Sequence, residues 1–303
     1  MKWKKLGVLI HPDKNTYWMA SHVGPSFAEV IDDKKLAIYV TGRDMNNVSR
    51  IGIVYVSLEG EKHSVLEISQ KVLFDVGEIG TFDESGVSYP WLVRKGSDVF
   101  MYYAGWVAGG LSRFQNYAGV AVSKDGGKTY LRPKNVPILD RTDSEPFGSG
   151  SCCVFIENGI WKMYYTAFGP WQNIPGKNRP SYNIKYAHST DGINWKREGK
   201  VIVDFKNEDE YVIGKPVLVK DKDLYRLWVS CRGESYRIGY AESKDGMTYI
   251  RKDEEVGIDV SPSGWDDKMI EYGYVFDHNG RRYMIYNGND FGKTGLGIAI
   301  LEA

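Results

Sequence analysis

The chain has 303 residues, and its 39 Lys and Arg balance 39 Asp and Glu, so no net charge draws it to nucleic acid or to an anionic membrane. No apolar stretch reaches the roughly 18 residues that a membrane-spanning helix needs. The aromatic content of 14% supplies rings for packing between strands and for flat platforms on which sugars stack. A small molecule or an oligosaccharide is therefore the expected partner.

The N-terminus and the cysteines narrow the class of protein further. The first apolar run ends at Ile10, before His11, which is too short for the apolar region of a signal peptide. We therefore expect a cytoplasmic protein. Two of the three cysteines, Cys152 and Cys153, are neighbours, a spacing that suits neither a disulfide framework nor a zinc site. We expect no metal site and no cofactor.

A segment rich in aromatic and β-branched residues occurs five times along the chain, at intervals of 63, 62, 64 and 58 residues. Another apolar segment and a short polar hairpin precede each copy, and a third apolar segment follows it. In three units, an Asp-Gly turn and a fourth segment complete the pattern. Apolar segments joined by Asp-Gly or Asn-Gly turns predict β-hairpins. The five copies begin at Leu36, Val99, Trp161, Tyr225 and Tyr283.

Four antiparallel strands that recur radially form the blades of a β-propeller. We predict an all-β chain in which residues 1–303 fold as one five-bladed β-propeller domain of four-stranded antiparallel blades. The last unit ends on its third strand, so we expect residues 3–10 to pair with residues 295–301 and close the ring. A β-sandwich with repeated hairpins is the alternative, but the regular spacing of whole units favours the propeller.

The loops that enter the first strand of each blade, and those that follow its second strand, open on one face of a propeller, at the mouth of the central channel. The acids in or next to the entering loops are Asp83, Glu84, Glu145, Glu210, Asp266 and Glu271. The loops after the second strands add Arg43, Asp44, Trp106, Trp171, Arg232, Asn289 and Asp290. First-strand beginnings add His22 and Lys215, and Arg237 opens a third strand at the same end.

Carboxylates, basic groups and aromatic rings around one funnel match what glycoside chemistry requires. One carboxyl group protonates the leaving oxygen, a second activates water or attacks carbon, and the rings stack on the sugar. The alternative for any single loop carboxylate is a role in capping a turn, because loop Asp and Glu are common solvated residues.

The segments "DESGVSYPWLVRKGSDVFMYYAG", "EYVIGKPVLVKDKDLYRLWVS", "YRIGYAESKDG" and "YMIYNGND" resemble the five-bladed β-propeller glycosidases of the β-fructosidase and arabinanase superfamily, which includes glycoside hydrolase families 32, 43, 62 and 68. The resemblance covers nearly the whole chain and implies that fold and action on a glycosidic bond. Those enzymes place a catalytic carboxylate one or two residues before a proline at the start of a blade. Here Gly24, Tyr89 and Lys215 precede the prolines, so no catalytic triad transfers residue by residue.

The catalytic assignment therefore rests on the loop acids. We predict Glu210 as the general acid, because the apolar residues 211–213 beside it favour a raised carboxyl pKa. Asp83 is the predicted base or nucleophile, Glu271 orients hydroxyl groups, and Arg232 pairs with a carboxylate or an anionic substrate group. The alternatives to either acid are Glu84 and Glu145.

Three functions fit this pattern. The first is a glycosidase that acts on a sugar or oligosaccharide, the second is a phosphorolytic or transferase variant, and the third is a carbohydrate-binding propeller without activity. Basic residues near the mouth exceed what a neutral sugar requires and favour a phosphate or an acidic sugar as ligand. Pairing with loop carboxylates is the alternative role for these groups, which are Arg43, Lys215, Arg232 and Arg237.

Overall fold

The computed structural model describes residues 1–174 and 177–302 of the chain. Its regular structure is almost entirely β-strand, with 3-10 turns at Tyr17–Met19 and Asp253–Glu255 and a short helix α1 at Asn289–Gly292. The prediction of an all-β chain is confirmed. The strands are β1 (Trp3–Ile10), β2 (His22–Val30), β3 (Lys35–Arg43), β4 (Ser49–Glu59), β5 (Lys62–Ile68), β6 (Gly86–Lys95), β7 (Asp98–Ala108), β8 (Phe114–Ser123), β9 (Ser149–Glu157), β10 (Ile160–Phe168), β11 (Gln172–Ile174), β12 (Lys177–Arg179), β13 (Tyr182–Ser189), β14 (Lys196–Val203), β15 (Val212–Asp221), β16 (Leu224–Arg232), β17 (Tyr236–Ser243), β18 (Ile250–Arg251), β19 (Glu271–His278), β20 (Arg281–Asn287) and β21 (Leu296–Leu301).

The longer strands pair antiparallel with their chain neighbours in five groups, which are β2–β5, β6–β8, β9 with β10, β13 and β14, β15–β18, and β19–β21 with β1. Single parallel pairs, Ser49 with Gly86 and Tyr182 with Val212, connect successive groups at the ends of their strands. The hairpin β11–β12 is inserted between β10 and β13. Each predicted hairpin unit is thus present as an antiparallel group.

The last group includes the first strand of the chain. Strand β1 pairs antiparallel with β21, in a register that runs from Trp3 opposite Leu301 to Ile10 opposite Leu296. Bulges interrupt this ladder at Gly7 and near Ile10. The predicted pairing of residues 3–10 with the C-terminal strand is confirmed, so the two ends of the chain are held in one sheet.

Burial falls from the second strand of a group to its outer strand. In β3 every residue between the two ends is buried, whereas most of β5 is exposed. Large rings fill the space between groups: Trp161 of β10 packs against Phe100 and Tyr102 of β7. The apolar runs in the sequence therefore correspond to strands covered on both faces, as neighbouring sheets require.

The repeated Asp-Gly segment forms a tight turn between two strands. Asp125 accepts hydrogen bonds from the backbone amides of Lys128 and Thr129, and Gly126 adopts a φ of 79° that favours glycine. Asp191 and Asp245 accept equivalent bonds in their own turns. No helix within the described residues has the length and apolarity needed to cross a bilayer.

Candidate active site

A cavity of about 550 Å³ opens where strand ends and loops from different groups meet. Aromatic rings supply much of its wall, namely Tyr89, Trp106, Phe114, Phe168, Tyr182, Tyr211, Tyr236, Tyr272 and Phe291. Its cationic lining residues are Arg43, Arg113, Arg179, Lys215 and Arg232. No Asp or Glu occurs among the lining residues that the structure describes. The cavity is therefore aromatic and positively charged.

Strained backbone builds part of this wall. Three residues of the strands that begin their groups, Tyr89, Lys215 and Tyr272, have φ values of 58°, 51° and 55°, which a non-glycine residue rarely adopts. Each lies at a bulge where the ladder to the next strand shifts register. Strained residues persist where the surrounding structure holds them and are frequent at functional sites. Their backbone amides donate to the hydroxyl groups of Thr41, Ser151 and Ser230, respectively.

The arginines of the cavity form no ion pair within the described part of the chain. Arg43, at the end of β3, donates to the amide oxygen of Asn47, and Arg179 donates to that of Gln172. The guanidinium of Arg232, at the end of β16, lies 5.1 Å from the ring centre of Tyr236, and its Nε has no hydrogen-bond partner in residues 1–174 and 177–302. These cations are accordingly left with hydrogen-bonding capacity for a ligand.

Glu271, the first residue of β19, adjoins this wall. Its side chain is completely buried, and neither carboxyl oxygen has a hydrogen-bond partner in the described structure. Burial raises the pKa of Glu271 well above its usual range, an effect that the nearby Arg43 and Arg232 oppose. Its cross-strand neighbour Asn287 is also buried, and neither its amide oxygen nor its amide nitrogen has a partner within the described part of the chain. This position thus holds a carboxyl group that favours its protonated form.

Lys215 supplies a second unpartnered group. Its side chain is 2% exposed, and Nζ makes no hydrogen bond within the described residues. The ammonium lies 5.5 Å from the ring centre of Trp91 and 5.4 Å from that of Tyr274. Burial lowers the pKa of Lys215 to about 8. The aromatic faces compensate in part for the lost hydration of the ammonium.

Three of the predicted acids are held in buried ion pairs outside the cavity lining. Asp83 accepts from Arg132 Nε at 2.8 Å and from the Tyr103 hydroxyl at 2.9 Å. The carboxylate of Glu210 accepts hydrogen bonds from both terminal nitrogens of Arg251. Glu145 accepts from Tyr165 and pairs with Lys185 and Arg197.

The structure therefore does not bring the three predicted catalytic carboxylates together around the cavity. Glu271 adjoins the wall, whereas Asp83 and Glu210 each neutralise an arginine within one strand group. A catalytic role for Asp83 and Glu210 stays a prediction. Among the three predicted catalytic acids, Glu271 is the one without a basic partner in the described structure.

Of the predicted binding residues, Arg43, Trp106, Lys215 and Arg232 line the cavity. Trp171 lies beside it, with its ring centre 5.1 Å from that of the lining residue Phe114. Arg237 instead pairs with Asp259 at 2.8 Å, outside the lining.

The remaining predicted residues have local partners outside the lining. Asp44 pairs with Arg50, and Glu84 accepts from the Gly80 amide. Asn289 accepts from the backbone amides of Lys268 and Met269. Burial, together with Arg43 and Lys293, lowers the pKa of His22 to about 4, an effect that the carboxylate of Asp290 opposes.

Sequence reasoning missed most of the tyrosines in the wall, together with Arg113 and Arg179. The sequence signal for Tyr89 is its position directly before Pro90 in the first strand of its group. The hydroxyl groups of Tyr182 and Tyr236 lie 2.9 Å apart although they come from different strand groups. That proximity has no signal in the local sequence.

The fold defined by these sheets is that of the propeller glycosidases. Similar solved structures include one described as "Glycoside hydrolase" (TM-score 0.74, 17% identity, covering 99% of this chain and 91% of that one). A thermostable family-43 glycoside hydrolase has a TM-score of 0.67 at 14% identity, covering 92% and 88% of the two chains. A third, at TM-score 0.71 and 16% identity over 99% and 93% of the chains, is described under "The GH130 family of mannoside phosphorylases contains glycoside hydrolases that target beta-1,2 mannosidic linkages in Candida mannan".

The sequence relatives define the family more narrowly. The chain is 37% identical over 303 residues to "Uncharacterized protein Rv1502" of Mycobacterium tuberculosis strain H37Rv, with both chains covered completely. The same values hold for "Uncharacterized protein MT1551" of strain CDC 1551. The chain therefore belongs to the family of these two mycobacterial proteins. No protein-family model matches it.

Proposed function

We propose that the five antiparallel groups are the blades of one five-bladed propeller, and that the chain is an enzyme of the glycosidase type. Its substrate is a sugar or oligosaccharide held in the aromatic cavity. The likeness of the fold to glycoside hydrolases supports action on a glycosidic bond. The observation that carries the proposal is the buried, unpaired carboxyl group of Glu271 next to a cavity lined by rings.

In this mechanism Glu271 is the general acid. Because burial favours its protonated form, Glu271 retains a proton to donate to the leaving oxygen of the glycoside. As the leaving group departs with this proton, water or phosphate from solution attacks the anomeric carbon, and an attacking water releases its proton to the solvent. Donation leaves Glu271 as a carboxylate, and the nearby guanidinium groups of Arg43 and Arg232 stabilise that charge. The tyrosine and tryptophan rings of the wall stack on the sugar and exclude water from the reacting bond.

A second candidate is a carbohydrate-binding propeller without catalysis. Two observations favour it, since the carboxyl group of Glu271 is fully covered and no second carboxylate occurs among the described lining residues. In hydrolysis a second carboxylate usually activates water or attacks carbon. A phosphorolytic reaction needs one protein acid, because phosphate is itself an anionic nucleophile and needs no general base.

The test is a screen of aryl glycosides and oligosaccharides, run with and without inorganic phosphate. Wild-type protein is compared with Glu271→Gln and with Glu84→Gln, a carboxylate of the same predicted face outside the cavity lining. Turnover that is lost in Glu271→Gln and kept in Glu84→Gln supports the proposal. Saturable sugar binding without turnover by wild-type protein would establish the binding propeller instead.

A further inference from the structure

The unpaired arginines of the cavity contrast with other arginines of the same chain. Arg132, which follows β8, and Arg251, on the outer strand β18, each pair with a buried carboxylate. Arg43, Arg179 and Arg232 face a cavity whose described lining includes no carboxylate, and they form no ion pair in the described structure. Their positive charges therefore have no compensating carboxylate among the described residues.

Two of these cations share one aromatic ring. The guanidinium of Arg179, on β12, lies 4.1 Å from the ring centre of Tyr211, and that of Arg232 lies 5.8 Å from the same centre. Both guanidinium groups thus lie within 6 Å of one ring centre, and like charges in one partly water-excluded cavity repel each other. An anion beside both groups would remove that cost, and guanidinium forks match oxyanions through paired hydrogen bonds.

Arg232 also carries a buried hydrogen-bond donor without an acceptor in the described structure. Its Nε is buried and has no hydrogen-bond partner among the described residues, although Arg232 lines the cavity. A buried donor without a partner lowers stability, and a ligand acceptor at this point would satisfy it. Stacking on Tyr211 and Tyr236 holds the guanidinium in place before any ligand arrives.

We infer that the cavity binds an oxyanion carried by the substrate, so that the substrate is an acidic saccharide bearing a carboxylate or a phosphate ester. Arg179 and Arg232 contact the anion, and Arg43 serves both this site and Glu271, since it also stabilises the ionised acid. The inference rests on the proposed function for the sugar part of the ligand, whereas the anion site rests on the arginines alone.

The experiment measures binding by isothermal titration calorimetry at constant ionic strength. The probes are glucuronate, glucose 6-phosphate, inorganic phosphate and glucose, the last being a neutral match for the first two. We expect at least one of the two acidic sugars to bind at least about 10-fold more tightly than glucose, as charge-assisted bonds do. The same preference should weaken about 10-fold or more in Arg179→Gln and Arg232→Gln.

Arg237→Gln is the matched control for Arg232→Gln. Arg237 lies on the neighbouring strand at the same end of the sheet, but it pairs with Asp259 outside the cavity. It should keep the wild-type preference, and Arg232→Lys should keep part of it. Thermal unfolding verifies that each variant is folded, and Arg179→Gln, on the hairpin, tests the site if Arg232→Gln does not fold.

Equal affinity for glucose and the acidic sugars would overturn the inference, and so would unchanged binding by both glutamine variants. Binding of inorganic phosphate alone would overturn the acidic-saccharide assignment in favour of phosphate as a separate reactant. Tight binding of acidic sugars without turnover would leave this inference standing and contradict the proposed activity. Turnover of neutral glycosides without any preference for anionic sugars would support the proposed activity and overturn this inference.

Discussion

Two sets of carboxylates in this molecule occupy similar places in the repeat and have opposite environments. Asp83, Glu145, Glu210 and Asp266 precede the first strands of their groups, and each is bonded to a basic residue. Glu271 lies only a few residues further along its unit, and it is bonded to none within the described residues. A basic partner compensates the desolvation of a buried carboxylate, whereas a buried carboxyl group without a partner lowers the stability of the fold and is the better candidate for chemistry.

The paired acids follow a common construction. In each case the acid lies in the loop before a first strand, and its basic partner lies on or next to the outer edge of a sheet, as Arg132, Arg197, Arg251 and Lys5. A tyrosine hydroxyl from the second strand completes three of the four clusters, as Tyr103, Tyr165 and Tyr286. The clusters thus connect the inner and outer edges of a sheet.

The largest expected effect is on catalysis by Glu271→Gln. The rate on an identified glycoside should fall about 10²-fold to 10⁴-fold, because the variant cannot donate the proton. The raised pKa of Glu271 also predicts that wild-type activity declines as pH rises through that value. Steady-state kinetics measure the rate of Glu271→Gln and the pH dependence of the wild-type rate, with Glu84→Gln as the control. Full activity of Glu271→Gln would remove the distinction between the two sets of carboxylates.

The same variant also tests how the buried carboxyl group of Glu271 changes the free energy of unfolding with pH. Because the folded-state pKa of Glu271 is raised, its protonated form is tolerated at acidic pH, and stability is lost as pH rises from the ordinary carboxyl range through that pKa. Glu271→Gln should therefore match wild-type stability near pH 4 and exceed it at alkaline pH. Urea denaturation at both pH values tests this, and a variant that is less stable at alkaline pH would contradict it.

Glu210→Gln should lower the free energy of unfolding by about 1–3 kcal/mol, since it removes the two charge-assisted hydrogen bonds of Arg251 to Glu210 and leaves Asp253 as the counter-charge of that guanidinium. Urea denaturation at neutral pH measures the loss. The double variant Glu210→Gln and Arg251→Met should recover much of it, because the buried guanidinium is removed and Asp253 keeps Lys206 as a partner. A Glu210→Gln protein that keeps its stability but loses activity would instead restore Glu210 as the catalytic acid.

Lys215→Met should raise the free energy of unfolding at neutral pH, whereas Glu210→Gln should lower it. Burial lowers the pKa of Lys215 from 10.5 to about 8, so the unfolded chain binds the proton more tightly than the folded chain does. Wild-type stability is therefore reduced below pH 8 and rises between about pH 8 and 10.5, by an amount on the order of 3 kcal/mol. The variant should be more stable than wild type at pH 7 and lack this rise. A loss of stability at pH 7 would show that the ammonium has an undetected partner.

The smallest effect is expected at the surface. Lys4 and Glu61 form an ion pair in which both side chains are about half exposed. Solvent screens such pairs, so Glu61→Gln should change the free energy of unfolding by less than about 0.5 kcal/mol. The comparison with Glu210→Gln in the same denaturation assay shows whether burial decides the value of an ion pair here. A loss equal to that of Glu210→Gln would refute that explanation.

The sequence by itself determined the strands, the turns between them and the pairing of the chain ends. These features depend on neighbours within a few residues, as at Asp125 and Gly126, or on a repeat that is visible along the chain. It also selected Arg43, Trp106, Lys215 and Arg232, which line the cavity, because they lie near second-strand ends and first-strand starts, where the cavity opens.

Only the tertiary structure decided which carboxylates are paired. Asp83 meets Arg132 and Glu210 meets Arg251 across separations of 49 and 41 residues, and those partners lie at the other edge of a sheet. Nothing in the local sequence distinguishes these acids from Glu271, whose carboxyl group is buried without a partner in the described structure. The role of an ionisable group depends on its burial and on the charges around it, and both are set by residues distant in the chain.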